Sequence, residues 1–362
     1  MTIVKRIRQM RLSVSESKGK KMIGEAIKAV VEGRHLSEAQ MVETFEVIME
    51  GRATGAQIGA FLAALRMKGE TEEEIAGAAK VMRAKAAKVN AGEDVIDTCG
   101  TGGDSSGTFN ISTAAALVAA GAGLRVAKHG NRAASSKCGS ADVLEALGVK
   151  VDADPEVVAR CVEGAGIGFM FAPRMHAAMK HAIGPRKEIG IRTVFNVLGP
   201  LTNPAGAKRQ LMGVFSPHLT ETLARVLGML GSERAMVVHG SDGLDEITLT
   251  GLTHVSELRD GIVRNYDIDP KKLGFNTCSA KDLIGGDSKR NAEIILDVLG
   301  GATGPRRDVV VINAAAALMV GGKARDMQEG IEIARSAIDK GDARKVLDKL
   351  VAMSNEAAPP NY

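Results

Sequence analysis

The glycine-rich stretch at residues 97–113, DTCGTGGDSSGTFNIST, constrains the fold of this chain more than any other segment. It starts at the end of a short predicted strand, residues 95–96, and runs into residues 114–120, whose alanines and leucine favour a helix. A loop that connects a strand to a helix presents free backbone N–H groups beside the positive end of the helix dipole. The stretch therefore predicts a phosphate-binding loop.

The residue types in this loop suit a ligand that approaches the backbone closely. Glycine adopts positive φ without steric cost, and short polar side chains favour helix starts. The residues concerned are Gly100, Gly102, Gly103 and Gly107 in the loop and Asn110, Ser112 and Thr113 at the helix start. The spacing matches neither the Walker pattern nor GxGxxG, so an ordinary tight turn stays an alternative.

A second polar loop, residues 128–140, follows a predicted strand at residues 124–127 and precedes a predicted helix at residues 139–147. Because the carboxyl ends of parallel strands meet at one edge of a sheet, the two loops are expected to converge there. Cations and hydroxyls in the second loop can hold a multiply charged phosphate ligand. They are Lys128, Arg132, Lys137, Ser135, Ser136 and Ser140. A solvated surface loop is the alternative.

Composition limits the classes of protein to which the chain can belong. With 362 residues, 45% of them hydrophobic, the chain can bury two cores, so two domains are expected. A net charge of +4, 3% aromatic residues and the absence of tryptophan argue against nucleic-acid binding. The cysteines lack metal-site spacing, and no apolar run approaches the roughly 18 residues of a membrane span. A cytoplasmic protein without a membrane anchor is expected.

The sequence divides into three regions that differ in charge and in the periodicity of their apolar residues. Residues 1–21 are basic and predict an extension, either a mobile arm or a docking site for an acidic partner. Residues 22–93 have helical periodicity and three capping boxes, which predict a small bundle of about four helices. The boxes are Ser37 with Gln40, Thr54 with Gln57, and Thr71 with Glu74. From residue 94, strands alternate with helices, which is typical of an α/β domain with a mainly parallel sheet flanked by helices.

The apolar positions of the helical region are interpreted as its core, with a contact to a second subunit as the alternative for some of them. They are Met41, Phe45, Ile48, Met49, Ile58, Phe61, Leu62 and Leu65.

Two adjacent acids, Asp245 and Glu246, follow a predicted strand at residues 234–239 and a glycine-containing turn. Adjacent carboxylates repel, so they require either a solvated turn or a divalent cation that bridges them to pyrophosphate oxygens. The rest of the chain is interpreted as scaffold, with a strand near Asn276 and helices at residues 287–299, 309–320 and 324–352. Asn313, inside an alanine-rich helix, needs a hydrogen-bond partner.

Several of these segments together resemble the anthranilate phosphoribosyltransferase family of tryptophan biosynthesis. The matching segments are GTGGD (100–104), NIST (110–113), KHGNRA (128–133), SSKCGSADVLEALG (135–148), GPRKEIGIRTVFNVLGPLTNP (184–204) and HGSDGLDEI (239–247). Their joint occurrence in this order is specific, and the resemblance covers residues 22 to about 352. It implies a small helical domain, residues 22–93 joined by about 173–196, and a large α/β domain, residues 94–172 and 197–356. A cytoplasmic homodimer paired through the helical domains is also implied.

The resemblance also implies roles for individual residues. Phosphoribosyl pyrophosphate would be bound by Gly100, Gly103, Asp104, Thr108, Asn110, Ile111, Ser112, Thr113, Lys128, His129, Gly130, Asn131, Arg132, Ala133, Ala134, Ser135, Ser136 and Ser140. Anthranilate would contact Gly100, Asn131 and Arg186. Magnesium, two Mg2+ ions per subunit, would be held by Ser112, Asp245 and Glu246, and the catalytic residues would be Lys128, Asp245 and Glu246. His129 and His176 are plausible second contacts, and Arg192 is expected to pair within its helix.

The residue types at two of these positions suit the binding of anthranilate. Arg186 offers a planar fork for a carboxylate, and Asn131 offers an amide. The expected reaction transfers the 5-phosphoribosyl group from phosphoribosyl pyrophosphate to the amine of anthranilate, the second step of tryptophan synthesis from chorismate. A pyrimidine nucleoside phosphorylase and a nucleic-acid-binding relative of the same fold are the alternatives, but the intact substrate motifs speak against both.

We predict that a chain beginning at Met22 keeps the kcat/KM of the full chain, because all the matching segments lie after this residue. Steady-state measurement of kcat/KM for both chains tests this prediction. A large loss in the shorter chain would show that residues 1–21 belong to the enzyme.

Overall fold

The computed structural model describes residues 21–133 and 137–356. These residues form two compact units. The helical unit contains the described residues up to Ala86 together with His176–Thr202, and the α/β unit contains Ala87–Met175 and the chain from Asn203 onward. The predicted basic extension lies outside the described residues apart from Lys21, which is already helical.

Helices alternate with strands between residues 95 and 240, whereas residues 21–85 and 288–355 contain helices alone. The helices are α1 (21–31), α2 (Glu38–Met49), α3 (Gly55–Lys68), α4 (Glu72–Lys85), α5 (Ile111–Gly121), α6 (Ser140–Ala146), α7 (Pro155–Ala165), α8 (Ala172–Met175), α9 (Lys180–Ile189), α10 (Phe195–Leu198), α11 (Leu219–Met229), α12 (Ser288–Leu299), α13 (Pro305–Val320), α14 (Met327–Asp339) and α15 (Asp342–Asn355). The strands are β1 (Val95–Asp97), β2 (Arg125–Gly130), β3 (Ile167–Phe171), β4 (Arg209–Gly213), β5 (Arg234–Gly240), β6 (Thr253–Arg259) and β7 (Ile262–Ile268). None of the helices in the described ranges is both long and apolar enough to cross a membrane.

The α/β unit begins at Ala87, before the predicted boundary at residue 93. Backbone hydrogen bonds from Ala87 to Met175 (2.8 Å) and from Val89 to Pro204 (3.2 Å) explain this difference. They tie the segment after α4 to residues of the α/β unit.

Helices α2, α3 and α4 of the helical unit begin where the capping boxes predict. At Ser37, Thr54 and Thr71 the hydroxyl accepts from the backbone N–H three residues on, and the Gln or Glu at that position accepts from the cap's own N–H. The eight predicted core side chains of this unit are all buried. Burial within the chain confirms that they pack the core.

Glu74 is the polar centre of the helical unit. Its Oε1 accepts from the backbone N–H of Leu36 at 2.9 Å, and its Oε2 accepts from Thr71 N at 2.9 Å and from Lys68 Nζ at 2.8 Å. Both side chains of the Lys68–Glu74 pair are buried. This one carboxylate therefore joins the start of α4 to the end of α3 and to the loop before α2.

The α/β unit is built on a seven-stranded sheet with the order β3-β2-β1-β4-β5-β6-β7. The first five strands are parallel, as predicted, and β6 and β7 add an antiparallel edge. Helix α5 packs against α13 and α15, and α11 packs against β5 and β6. The core is rich in alanine and valine, which lets the helices approach the sheet and one another closely.

Two predictions for the second half of the chain are wrong. The segment around Asn276 is not a strand, because its backbone groups bond to loop residues, such as Cys278 N to Leu249 O at 3.2 Å. The sheet edge is formed instead by β6 and β7, which are joined at Asp260-Gly261 with φ of 53° and 75°, as in a two-residue hairpin turn. The single helical stretch at residues 324–352 is two helices, because Gly341 at φ 71° separates α14 from α15.

We predict that Glu74→Ala destabilises the protein by about 3–5 kcal/mol, because it leaves the Lys68 ammonium buried without its carboxylate. Glu38→Ala is the control, since it breaks only the half-exposed pair with Lys80 and should cost less than about 1 kcal/mol. Thermal unfolding followed by circular dichroism measures both variants. Equal melting temperatures for the two would contradict the role given to Glu74.

Candidate active site

The loops after β1 and β4 meet where the strand order reverses direction. Strand β1 lies between β2 and β4, so the loops that leave these strands lie at the topological switch point of the carboxyl edge, where α/β proteins bind ligands. Thr101 joins two of the loops, because its N–H donates to Gly213 O at 2.8 Å and its Oγ1 accepts from Phe215 N at 3.1 Å.

The glycines of the first loop are needed for two different physical reasons. Gly102, Gly103 and Gly107 have φ of 64°, 78° and 68°, which a side chain would strain. Gly100 is required for space instead, since a Cβ there would stand 3.1 Å from the carboxylate of Asp245 and 3.1 Å from Gly213 O. At Gly100 the missing Cβ therefore makes room for Asp245 and Gly213 of the protein itself.

Helix α5 begins at Ile111 with Asn110 as its N-cap residue, but the Asn110 side chain makes no cap hydrogen bond. It donates to Cys138 O at 3.2 Å and accepts from Asn291 Nδ2 at 3.0 Å, so it ties the helix start to the second loop and to α12. At the helix start, the N–H of Ser112 donates to Glu246 Oε1 at 3.1 Å. A carboxyl group of the protein therefore already lies at the positive end of this helix, where the dipole favours negative charge.

Lys128 places a buried ammonium beside the first loop. Its Nζ donates to Thr98 O at 2.8 Å, to Thr98 Oγ1 at 3.2 Å and to Ser112 Oγ at 3.4 Å. The side chain is on β2 and is only 2% exposed. A cation held this firmly acts as a fixed positive charge in a poorly solvated place, where its effect is stronger than in water.

Two buried residues that the sequence reasoning did not assign hold the strand ends together. Asp97, the last residue of β1, accepts from the N–H of His129 at 3.1 Å and from Asn203 Nδ2 at 2.7 Å, and Asn203 also donates to Ala127 O at 2.9 Å. Burial raises the pKa of Asp97 to about 6 although Lys128 opposes the shift. Asp97 opens the glycine-rich stretch and Asn203 lies more than a hundred residues later, so only the folded chain brings them together.

Asp245 and Glu246 lie in the loop after β5, as predicted, but the loop is not a freely solvated turn. Asp245 Oδ2 accepts from Gly102 N at 2.8 Å, and the main chain passes so close to β4 that a Cβ on Gly213 would meet Asp245 O at 1.5 Å. Burial and the neighbouring carboxyl of Asp104 raise the pKa of Asp245 to about 7. Burial and Asp245 raise the pKa of Glu246 to about 8.

These carboxylates fit a divalent cation. Asp104 lies within hydrogen-bonding reach of Asp245, and its Oδ2 is buried with no donor from the described residues. Hard oxygen donors of this kind suit Mg2+, which keeps waters and substrate oxygens in its coordination shell. Within the described ranges, no group of three or more His, Cys, Asp and Glu side chains surrounds a common ion position. An ion here would complete its coordination shell with oxygens from water or from a ligand.

The second loop makes hydrogen bonds to side chains of α6 that the sequence did not predict. Arg132, expected as a free cation for phosphate, donates to Asp142 at 2.9 Å and to Glu145 at 2.8 Å on α6. Asp142 also accepts from the N–H groups of Ala133 (3.0 Å) and Gly139 (2.8 Å). Asn131 and Lys137 are exposed. The predicted contacts Ala134, Ser135 and Ser136 lie outside the described residues.

The predicted residues of the helical unit have distinct environments. Arg186, on α9, is half-buried with its guanidinium carbon 4.7 Å from the centre of the Phe195 ring, and burial lowers its pKa. His176 is buried, which lowers its pKa to about 4, so it is neutral at pH 7. Arg192 lies after the end of α9, so the expected pairing within a helix is wrong.

A cavity of about 320 Å³ in the α/β unit is lined by none of the loop residues described above. Its lining includes Arg234, the first residue of β5, and Arg259, the last residue of the antiparallel β6. The cavity therefore lies at the amino-terminal edge of the sheet, away from the loops described above.

Comparison with known proteins agrees with the fold and the loops. Residues 24–86 match the helical bundle domain of a glycosyl transferase family, and residues 92–344 match its a/b domain. The anthranilate phosphoribosyltransferase of Acetivibrio thermocellus is 57% identical over 335 residues, which cover 92% of this chain and 97% of that protein.

Two solved structures extend the comparison. The crystal structure of the Thermus thermophilus enzyme superimposes with a TM-score of 0.87 at 42% identity, covering 91% of this chain and 99% of that one. The Saccharomyces cerevisiae enzyme in complex with PRPP and Mg gives a TM-score of 0.84 at 28% identity, covering 92% and 97%. With both domains matched and such identity over nearly its whole length, this chain belongs to the anthranilate phosphoribosyltransferase family.

Proposed function

We propose that this chain transfers the 5-phosphoribosyl group from phosphoribosyl pyrophosphate to the amine of anthranilate, giving N-(5-phosphoribosyl)anthranilate and pyrophosphate. The observation that carries the proposal is the meeting of Lys128, Asp245 and Glu246 on the glycine-rich loop through Thr98, Gly102 and Ser112. Family membership and the PRPP and Mg bound to the yeast relative support the choice of donor.

The donor's phosphates are assigned to the two loops. Backbone N–H groups of residues 100–113 and the fixed charge of Lys128 supply the positive potential that a pyrophosphate group needs. The remaining contacts implied by the resemblance are part of the proposal, with Arg132 contributing through its main chain because its guanidinium is paired with α6.

Magnesium would be held by Ser112, Asp245 and Glu246, with two ions per subunit. When bound, Mg2+ neutralises the charge that develops on pyrophosphate as it leaves. Support comes from the raised pKa values of the two acids and from the buried Asp104 oxygen that lacks a donor. A cation at this position would remove the repulsion that burial and proximity impose on the carboxylates.

The chain's own residues contribute mainly charge and position. Departure of pyrophosphate builds positive charge on the ribose and negative charge on the leaving group, so the ammonium of Lys128 and the loop amides stabilise the transition state more than the ground state. The arylamine of anthranilate is neutral at pH 7 and attacks with its own lone pair. Orientation of the amine therefore matters more than removal of a proton by a base.

Anthranilate recognition is assigned to Gly100, Asn131 and Arg186. Arg186 suits a carboxylate because its guanidinium is planar and half-buried, and its contact with the Phe195 ring restricts its orientation. Neutral His176 is assigned a supporting role only. The active form is proposed to be a cytoplasmic homodimer.

The direct test is a fluorescence assay for phosphoribosyl anthranilate from the purified protein, with Mg2+ present and absent. Product that appears only with both substrates and Mg2+ supports the proposal. A protein that consumes a nucleoside and phosphate, and not these substrates, would be a phosphorylase instead.

For Arg186→Ala we predict a strong rise in the KM for anthranilate with little change in the KM for phosphoribosyl pyrophosphate. Loss of a charge-assisted contact to the carboxylate should cost about 2–4 kcal/mol. Lys187→Ala, an exposed cation on the same helix, is the matched control and should leave both constants near the parent values. The reverse pattern of KM changes would place Arg186 on the other substrate.

The double variant Asp245→Asn with Glu246→Gln should lose at least ~10²-fold in kcat and need more Mg2+. Its melting temperature should stay near the parent's, because the new amide oxygens can still accept from Gly102 and Ser112 while the repulsion between the two carboxyl groups disappears. Calorimetric titration of Mg2+ should show weaker binding, which is a measurement independent of turnover.

The matched control for that double variant is Glu293→Gln with Asp297→Asn, which removes two exposed charges from α12. Its activity and Mg2+ dependence should equal the parent's. If the Asp245 and Glu246 double variant also behaved like the parent, the metal-site assignment would be wrong.

A further inference from the structure

Asn313 is a fully buried amide in the middle of α13, among valine, isoleucine and alanine side chains of the same helix that are also buried. An apolar residue of similar size would avoid the free-energy cost of removing an amide from water. The amide is therefore expected to be there for its hydrogen bonds.

These bonds reach the loop that carries Asp245 and Glu246. Asn313 Oδ1 accepts from Ile247 N at 2.9 Å, and Asn313 Nδ2 donates to Ile247 O at 2.9 Å. The second proton of Nδ2 goes to Val309 O, one turn earlier in α13, at 2.8 Å. One planar side chain thus binds both backbone groups of the residue that directly follows Glu246.

The rest of the loop leaves little freedom around this tether. Ile247 is itself fully buried. On the other side of the acids, the main chain of Asp245 lies against Gly213 at the end of β4, and Gly240 N donates to Leu244 O at 2.8 Å. Glu246 is therefore held between a contact with the sheet before it and a bidentate hydrogen bond after it.

We propose that Asn313 is a positioning residue for the transfer reaction, which acts by fixing the backbone at Ile247 and so the Asp245–Glu246 carboxylates against Gly102 and Ser112. This inference rests on the proposed function of the two acids. The side-chain hydrogen bonds of Asn313 go to Ile247 and to Val309 of its own helix, so its effect on the acids passes through the loop. Partners that orient the ligands of a metal in this way typically change metal affinity or activity about 10–100-fold when removed.

The test compares Asn313→Ala with Val311→Ala, a cavity-forming change at a fully buried position of the same helix that makes no hydrogen bond to the loop. Asn313→Ala should weaken Mg2+ binding in calorimetric titration about 10–100-fold and lower kcat, while the KM for anthranilate changes less than about 3-fold. High Mg2+ should restore part of its turnover. Val311→Ala should lower the melting temperature without changing Mg2+ affinity. Identical Mg2+ affinity in both variants and the parent would overturn the proposal.

Two further measurements cover the case in which Asn313→Ala does not fold. In Asn313→Ser the hydroxyl can bond to Val309 O within the helix but is too short to bind both groups of Ile247, so it should show the same loss of Mg2+ affinity in a folded protein. Hydrogen exchange in the parent protein should show the Ile247 amide protected like the core of α13. Exchange of this amide at the rate of exposed loops would refute the tether without any variant.

The outcome is separable from that of the proposed function. If the parent makes no phosphoribosyl anthranilate, the assigned reaction fails, whatever Asn313 does. If the parent is active and Asn313→Ala matches Val311→Ala in Mg2+ binding and kcat, only the positioning role fails.

Discussion

The convergence of carboxylates and one buried ammonium at the carboxyl edge of the sheet is the arrangement on which the site depends. Asp104, Asp245 and Glu246 repel one another, and burial adds to the cost of charging them. The fold offsets part of this cost with Lys128 and with backbone N–H groups from Gly102 and Ser112. The repulsion that remains is the physical basis of the proposed cation site.

Rigid support for these groups comes from several strands and helices at once. Asp97 and Asn203 join the ends of β1 and β2, and Asn313 ties the Glu246 loop to α13. Each link is a buried polar group whose hydrogen bonds are worth more than they would be in water. The loops are therefore positioned by the scaffold, which is the condition for stabilising a transition state without rearrangement. In the helical unit, burial depresses the pKa of both Arg186 and His176, but only the guanidinium stays charged at pH 7, which is what its proposed contact with a carboxylate requires.

Local sequence patterns determined those parts of the structure that depend only on residues close together in the chain. Capping boxes at Ser37, Thr54 and Thr71 placed three helix starts, because a cap needs only residues three positions apart. The alternation of strands and helices after residue 94 indicated the parallel sheet and the edge where polar loops gather. The β6–β7 hairpin also has a local signal, because Asp260-Gly261 is a residue pair that two-residue hairpin turns favour.

The tertiary structure decided which distant groups meet, because hydrogen-bond partners far apart in sequence leave no mark in local periodicity. Arg132 was expected to serve phosphate but pairs with α6, and the Asn110 side chain bonds across to Cys138 and Asn291 instead of capping its helix. Sequence reasoning could say that Asn313 needed a partner. Only the fold, by carrying the loop after β5 onto α13, could make that partner the residue beside Glu246.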